Sequence, residues 1–167
     1  MITRGHLSYP AHLQLATLQL ARGRSPRELG LHRWTVTDHT VTLGRGAEVF
    51  EAASERLLTW QAHAHARVRV QRLGPLVRLR FGPTTSSCLI IHEEKSPTRT
   101  LLVYGTLPAH VESGEEAFLI EQAPDGTVTG RIIAFSRHSW WLAKWGGPVA
   151  RAVQRWATRR YAAGMRP

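Results

Sequence analysis

Over residues 34–43 the chain reads Trp-Thr-Val-Thr-Asp-His-Thr-Val-Thr-Leu, an alternation of β-branched and polar positions that predicts a strand. Gly44 and Gly46 stop it. Phe50, Ala53, Leu57 and Trp60 then recur at three- and four-residue steps, the single apolar stripe of a helix. Glu48 and Glu51 near its start complement the positive end of the helix dipole. The period next falls to two. Val68 and Val70 alternate with Arg67, Arg69 and Gln71; beyond Leu73-Gly74-Pro75, Val77, Leu79 and Phe81 alternate with Arg78 and Arg80. This predicts a hairpin with one apolar and one arginine face.

Further strands are expected over residues 88–93, 98–107, 116–122 and 127–135, the last two joined by the turn Ala123-Pro124-Asp125-Gly126. After Ser136 the pattern is helical again. Trp140, Trp141, Leu142 and Trp145 make a short apolar segment, Gly146-Gly147 breaks it, and Pro148 suits the first turn of a final helix. There Val149, Ala152, Val153, Trp156 and Ala157 share one face, while Arg151, Arg155 and Arg159 follow another. Trp156 is expected in the core. Residues 1–30 show weak periodicity and read as an N-terminal arm, loosely structured or peripheral, on one domain spanning 1–167.

Strand, helix, six strands and helix give an α+β fold, with an antiparallel sheet of about seven strands. Such a sheet has one face to bury, and the terminal helix is its natural cover. A sheet curled around a helix encloses a space that side chains fill or a ligand enters.

Composition narrows the class. With 167 residues and 43% hydrophobic content the chain can pack one core. No apolar run reaches membrane-spanning length, residues 1–10 lack the apolar stretch of a signal peptide, and Cys88 is the single cysteine. An intrachain disulfide and a metal site of several thiolates are excluded, and a reducing cytoplasm is the expected compartment. The net charge is +10 and the pI is near 11.3, carried almost wholly by arginine because Lys95 and Lys144 are the only lysines. That balance attracts nucleic acid, anionic membrane or acidic partners. GC-rich codon usage produces the same excess of Arg, Ala, Gly and Pro, and is the favoured account.

Two strings carry a resemblance. Residues 101–121 read LLVYGTLPAHVESGEEAFLIE, and residues 134–161 read AFSRHSWWLAKWGGPVARAVQRWATRRY. They resemble the bacterial and plant family of the domain of unknown function nineteen-ninety, an uncharacterised UPF-type family, through its Y-G-T-L-P, E-S-G-E-E, A-F-S-R and G-G-P-V motifs. The likeness extends loosely upstream through Gly44-Arg45-Gly46, Phe50 and Trp60. Ala109, Val111 and His138 depart from the family pattern of Gly, Pro and Pro. The family resembles the START-like (SRPBCC) helix-grip superfamily, which implies a curved sheet around a C-terminal helix and a hydrophobic cavity between them. It implies no reaction and no cofactor.

The densest polar cluster is Tyr104, Thr106, His110, Glu112, Ser113, Glu115 and Glu116, at the rim of an expected hairpin. His110 with Glu112, beside Tyr104, is a candidate acid–base pair. A His-x-Glu pair also offers two metal ligands, but no second histidine follows at metal spacing, so no metal is expected. The structural alternative pairs Glu115 or Glu116 with Arg137, which otherwise serves as an anion clamp. One of the adjacent Trp140 and Trp141 cannot face the core and would mark a pocket mouth. Arg67, Arg69, Arg78 and Arg80 form an outward patch; without a nucleic-acid motif or interleaved aromatics, a solvated face accounts for it. The other histidines, including His63 and His65, have no evident partners in sequence.

The leading expectation is a binding module for a small hydrophobic or amphipathic molecule. Val68, Val77, Leu79, Phe118, Ile120 and the tryptophans would meet its body, and Tyr104, His110, Glu115 or Arg137 its polar end. An enzyme built on His110 and Glu112, and an anionic-surface protein, are the alternatives.

Overall fold

The structure is a computed structural model that describes residues 2–108, 110, 112–138 and 147–167, with His138 and residues 147–154 described by backbone alone. The expected segments Trp140, Trp141 and Trp145 lie outside the described residues. Seven strands build one antiparallel sheet: β1 (Thr35–Arg45), β2 (Val68–Leu73), β3 (Leu76–Phe81), β4 (Thr84–Lys95), β5 (Arg99–Thr106), β6 (Glu112–Gln122) and β7 (Thr127–His138). Their spatial order is β1-β7-β6-β5-β4-β3-β2. From β2 to β7 the chain is a meander of short connections, and β1 closes on its far edge against β7. Register shifts near Leu43 and Ile91 bend β1 and β4.

Two helices, α2 (Ala47–Leu58) and α3 (Gln61–His65), carry the chain from β1 at one edge to β2 at the other. The predicted stripe is real: Phe50, Ala53 and Leu57 are fully buried on the sheet's inner face. The C-terminal helix, α4 (Gly147–Gly164), reaches the same face, where Tyr161 and Ala162 join Leu102, Phe118, Ile120 and Ile132 in one core. A methyl on Gly164 would lie 2.7 Å from the His65 side chain and 2.8 Å from Ala62 Cα, so α3 and α4 meet almost backbone to backbone. This is the α+β helix-grip arrangement.

The sheet buries both faces, not one. Leu101, Val103, Leu119, Ile133 and Phe135 point away from the helices and are covered by residues 7–31. The segment expected to be a loose or peripheral arm supplies that cover. It makes two 3-10 turns and α1 (Ala16–Ala21), with Tyr9, Leu13, Ala16, Leu20 and Leu31 buried. The physical reason lies in β5, whose Leu-Leu-Val-Tyr run is apolar on consecutive positions and so needs shelter on both sides. Trp156 corrects a second expectation: it is 40% exposed, its ring 6.1 Å from that of Phe81, because it lies by the end of β3, next to the β2 edge, rather than over the sheet's centre.

Candidate functional site

Successive residues of a strand face opposite sides, so β6 divides the polar cluster between two environments. Glu115 points outward. It is 2% exposed and accepts hydrogen bonds from Tyr9 Oη (2.8 Å), Leu15 N (2.7 Å), Thr17 N (3.0 Å) and Thr17 Oγ1. Burial raises its pKa, and these four donors oppose the rise. Its carboxylate is occupied in fastening the N-terminal segment to the sheet. Thr106 Oγ1 steadies the same stretch, accepting from Gly114 N (2.8 Å) and donating to Gly114 O (3.0 Å).

Glu116 points inward. Tyr104, its cross-strand partner, donates its phenol to Glu116 Oε2 at 2.7 Å, and His63 Nε2 lies 3.2 Å from the same phenol oxygen. The three form a chain from α3 to β6 through β5. His63 is fully buried among the rings of Trp60, Tyr104, Phe118 and Tyr161, at 4.7 to 5.9 Å between centroids. Burial lowers its pKa to about 3, so it is neutral. Its Nδ1 finds no partner among the described residues. Burial raises Glu116 to about 7; the Tyr104 hydrogen bond opposes that, and the nearby charge of Glu112 adds to it. Tyr104 is pushed well up by burial, and next by Glu116. The result is a proton-sharing chain, neutral at one end and poised near neutrality at the other.

The other expected site residues are scattered. His110 lies in the β5–β6 loop, where its Nδ1 accepts from the Glu112 backbone N–H at 3.0 Å. Burial lowers its pKa to about 4, which makes it a weak base at neutral pH. Arg137 lies on the outer face, with its guanidinium 4.7 Å from the centre of the Trp34 ring rather than beside either glutamate. Phe118 is fully buried in the inner core, as are Val77 and Ile120. Sequence reasoning missed His63, whose partner Tyr104 lies 41 positions away.

A cleft of about 960 Å³ opens beside this chain, lined by Thr59, Trp60, Ala64, Arg67, Val68, Arg69, Val70, Arg80, Phe81 and Gly82. Trp60 is its link to the interior, with its ring 6.3 Å from Tyr104. Two local features shape the cleft. Trp60 and Arg67, at either end of α3, have φ of 64° and 61°, the left-handed region that glycine occupies at least cost. Arg69 and Arg80 stand directly opposite each other on β2 and β3, and neither pairs with a carboxylate among the described residues. Like charges in that position repel. Arg67, Arg69, Arg78 and Arg80 are all exposed, as a solvated face requires, and the first, second and fourth are among the residues lining the cleft.

A helix-grip domain with a ligand-sized cleft at one end of its inner face is the class these features define. The chain belongs to the family described as Domain of unknown function (DUF1990), whose model matches residues 16–164. A UPF0548 protein of Deinococcus radiodurans is 32% identical over 146 residues, covering 74% of this chain and 73% of that protein. A UPF0548 protein of Dictyostelium discoideum is 48% identical over 58 residues, which are 30% of this chain and 27% of that protein. Among solved structures, a hypothetical protein from Helicobacter pylori superposes with a TM-score of 0.53 at 12% identity, over 99% of each chain. A conserved protein from Geobacillus kaustophilus gives 0.52 at 11% identity, covering 78% of this chain and 95% of that one. At such identities the likeness is one of fold alone.

Proposed function

We propose that the chain binds a small amphipathic anion, with its apolar body in the cleft and its carboxylate or phosphate-like head at the arginine mouth. The observation that carries this reading is a cleft whose lining combines Trp60, Val68, Val70 and Phe81 with the exposed arginine Arg67 at the end of α3. An anionic head there would accept charge-assisted hydrogen bonds from Arg67. The apolar wall would shelter the body, the usual division of labour in ligand sites. The left-handed backbone at Trp60 and Arg67 supports the same reading, since both positions accept strain to hold large side chains at the cleft.

Calorimetry with decanoate, decyl phosphate and decyltrimethylammonium tests the proposal. The two anions bind one to one and the cation does not. Arg67→Gly separates binding from stability. Glycine relieves the left-handed backbone, so stability holds or rises by up to about 1 kcal/mol, while anion affinity falls about tenfold. Equal binding of anion and cation, or unchanged affinity in Arg67→Gly combined with Arg80→Ala, would contradict it.

A further inference from the structure

Positive charge is not spread evenly along this chain. Residues 56–92 carry six arginines and residues 126–167 carry eight basic side chains, and neither stretch holds an aspartate or a glutamate. Codon bias accounts for the amount of arginine, not for this segregation. The two stretches meet in space. Gly164 of α4 packs on His65 and Ala62 of α3, Arg56 Nε donates to the Gly164 carbonyl at 2.9 Å, and the Trp156 ring stands 6.1 Å from that of Phe81. Arg67, Arg69 and Arg80 line the cleft together with Phe81, and Arg155 and Arg159 flank Trp156 on α4. All five arginines are exposed, and none pairs with a carboxylate among the described residues. Phe81 and Trp156 are two of the four large hydrophobic side chains exposed among those residues.

Exposed rings set in a field of unpaired arginines fit a partner that is anionic outside and apolar within reach. An anionic lipid surface has both properties: its phosphates attract arginine, and its interfacial zone is where tryptophan is most at home. Nucleic acid fits less well, because stacking a base requires an open, flat ring face. Here the Phe81 and Trp156 planes are inclined at 52° to each other, and the Arg160 guanidinium lies over the Trp156 ring at 5.8 Å.

We propose that the corner made by the β2–β3 hairpin and α4 docks on an anionic lipid bilayer. Phe81 and Trp156 enter the headgroup region, and Arg67, Arg155 and Arg159 hold lipid phosphates. Docking of this kind needs no occupant in the cleft, although Arg67 and Phe81 set the cleft's opening against the bilayer.

Cosedimentation with vesicles tests this. The protein pellets with vesicles of equal parts phosphatidylglycerol and phosphatidylcholine, not with phosphatidylcholine alone, and salt releases it. Trp156→Ala, and separately Arg155→Glu with Arg159→Glu, each weaken vesicle affinity by about tenfold or more. These side chains are exposed, so both variants melt close to the wild type. Arg24→Glu with Arg27→Glu makes the same change in net charge on the segment that covers the opposite face, and affinity stays within about threefold. The proposal is overturned if anionic vesicles leave the wild type in solution, if Trp156→Ala binds them unchanged, or if the two double reversals lose equally, which would make net charge the whole cause. It also falls if the wild type holds oligouridylate and ignores vesicles, which would assign the corner to nucleic acid. Decanoate calorimetry on Trp156→Ala keeps the two readings apart. Trp156 is not among the residues lining the cleft, so decanoate affinity is unchanged where vesicle affinity falls. Failure of decanoate to bind the wild type would refute the cleft reading and leave docking standing.

Discussion

Glu115→Ala unfolds with a loss of roughly 3–5 kcal/mol, the range for stripping a buried acceptor from several donors. The loss is large because the carboxylate serves three residues of a segment far away in sequence. Without it the Leu15 and Thr17 amides and the Tyr9 phenol have no acceptor in a region closed to water. Tyr9 also packs edge-on against Phe135 at 5.4 Å and presses on Gly105, where an added methyl would sit 2.9 Å from Tyr9 Cε1. Loosening one contact therefore loosens the whole outer cover. In urea the midpoint falls by about 1.5–2.5 M for a slope near 2 kcal/mol/M. Glu115→Gln retains part of the acceptor and falls between. Proteolysis supplies a second sign, with cleavage between residues 21 and 34 accelerated in Glu115→Ala. An unchanged midpoint would mean that the N-terminal segment is not part of the cooperative unit.

Gly114→Ala costs about 3 kcal/mol or more, as overpacking against immovable atoms does. Gly114 pairs with Ser136, and a methyl there would overlap the Phe135 carbonyl oxygen and approach Ser136 Cα to 2.9 Å. Both are backbone atoms of β7 and cannot rotate aside. Relief requires β6 to lift from β7, which displaces the next two residues, Glu115 and Glu116. The prediction is thus specific: thermal unfolding is lowered by many degrees. A variant with wild-type melting would show that β6 and β7 are not packed this closely at Gly114.

Much of this arrangement is written in local pattern. Alternation located the hairpin of β2 and β3 to within a residue, because the apolar positions that face the core also set the register. The helical stripe of Phe50, Ala53 and Leu57 was equally plain. The second covered face was not, because its cover is built of 3-10 turns and a six-residue helix that have no sustained period. A sign of it was present in the consecutive apolar residues Leu101 to Tyr104.

The site was legible as a cluster but not as a geometry. Adjacent Glu115 and Glu116 look alike in a list of polar residues, and only strand pleating sends one to the N-terminal segment and the other to the interior. Arg137 follows the same parity, with its odd-numbered neighbours Ile133 and Phe135 on the outer face. That removes it from Glu116, while Glu115, on the same face, is occupied by Tyr9, Leu15 and Thr17. His63 had no local signal beyond its place beside Ala62 on a short helix, since its partners come from β5 and β6 through long-range packing. The hairpin arginines took the outward face that alternation assigns them, and Arg67, Arg69, Arg78 and Arg80 are all exposed.

The direct measurement is two-dimensional amide and indole NMR during titration with decanoate. Ligand in the cleft shifts the Trp60 indole and the amides of Arg67, Val68, Val70 and Phe81, and leaves Tyr9, Leu15 and Thr17 on the opposite face unmoved. Saturable shifts confined to that first group would place an amphipathic anion where the geometry expects one. Shifts centred on the outer face, or spread evenly over the arginines with no saturation, would contradict the account.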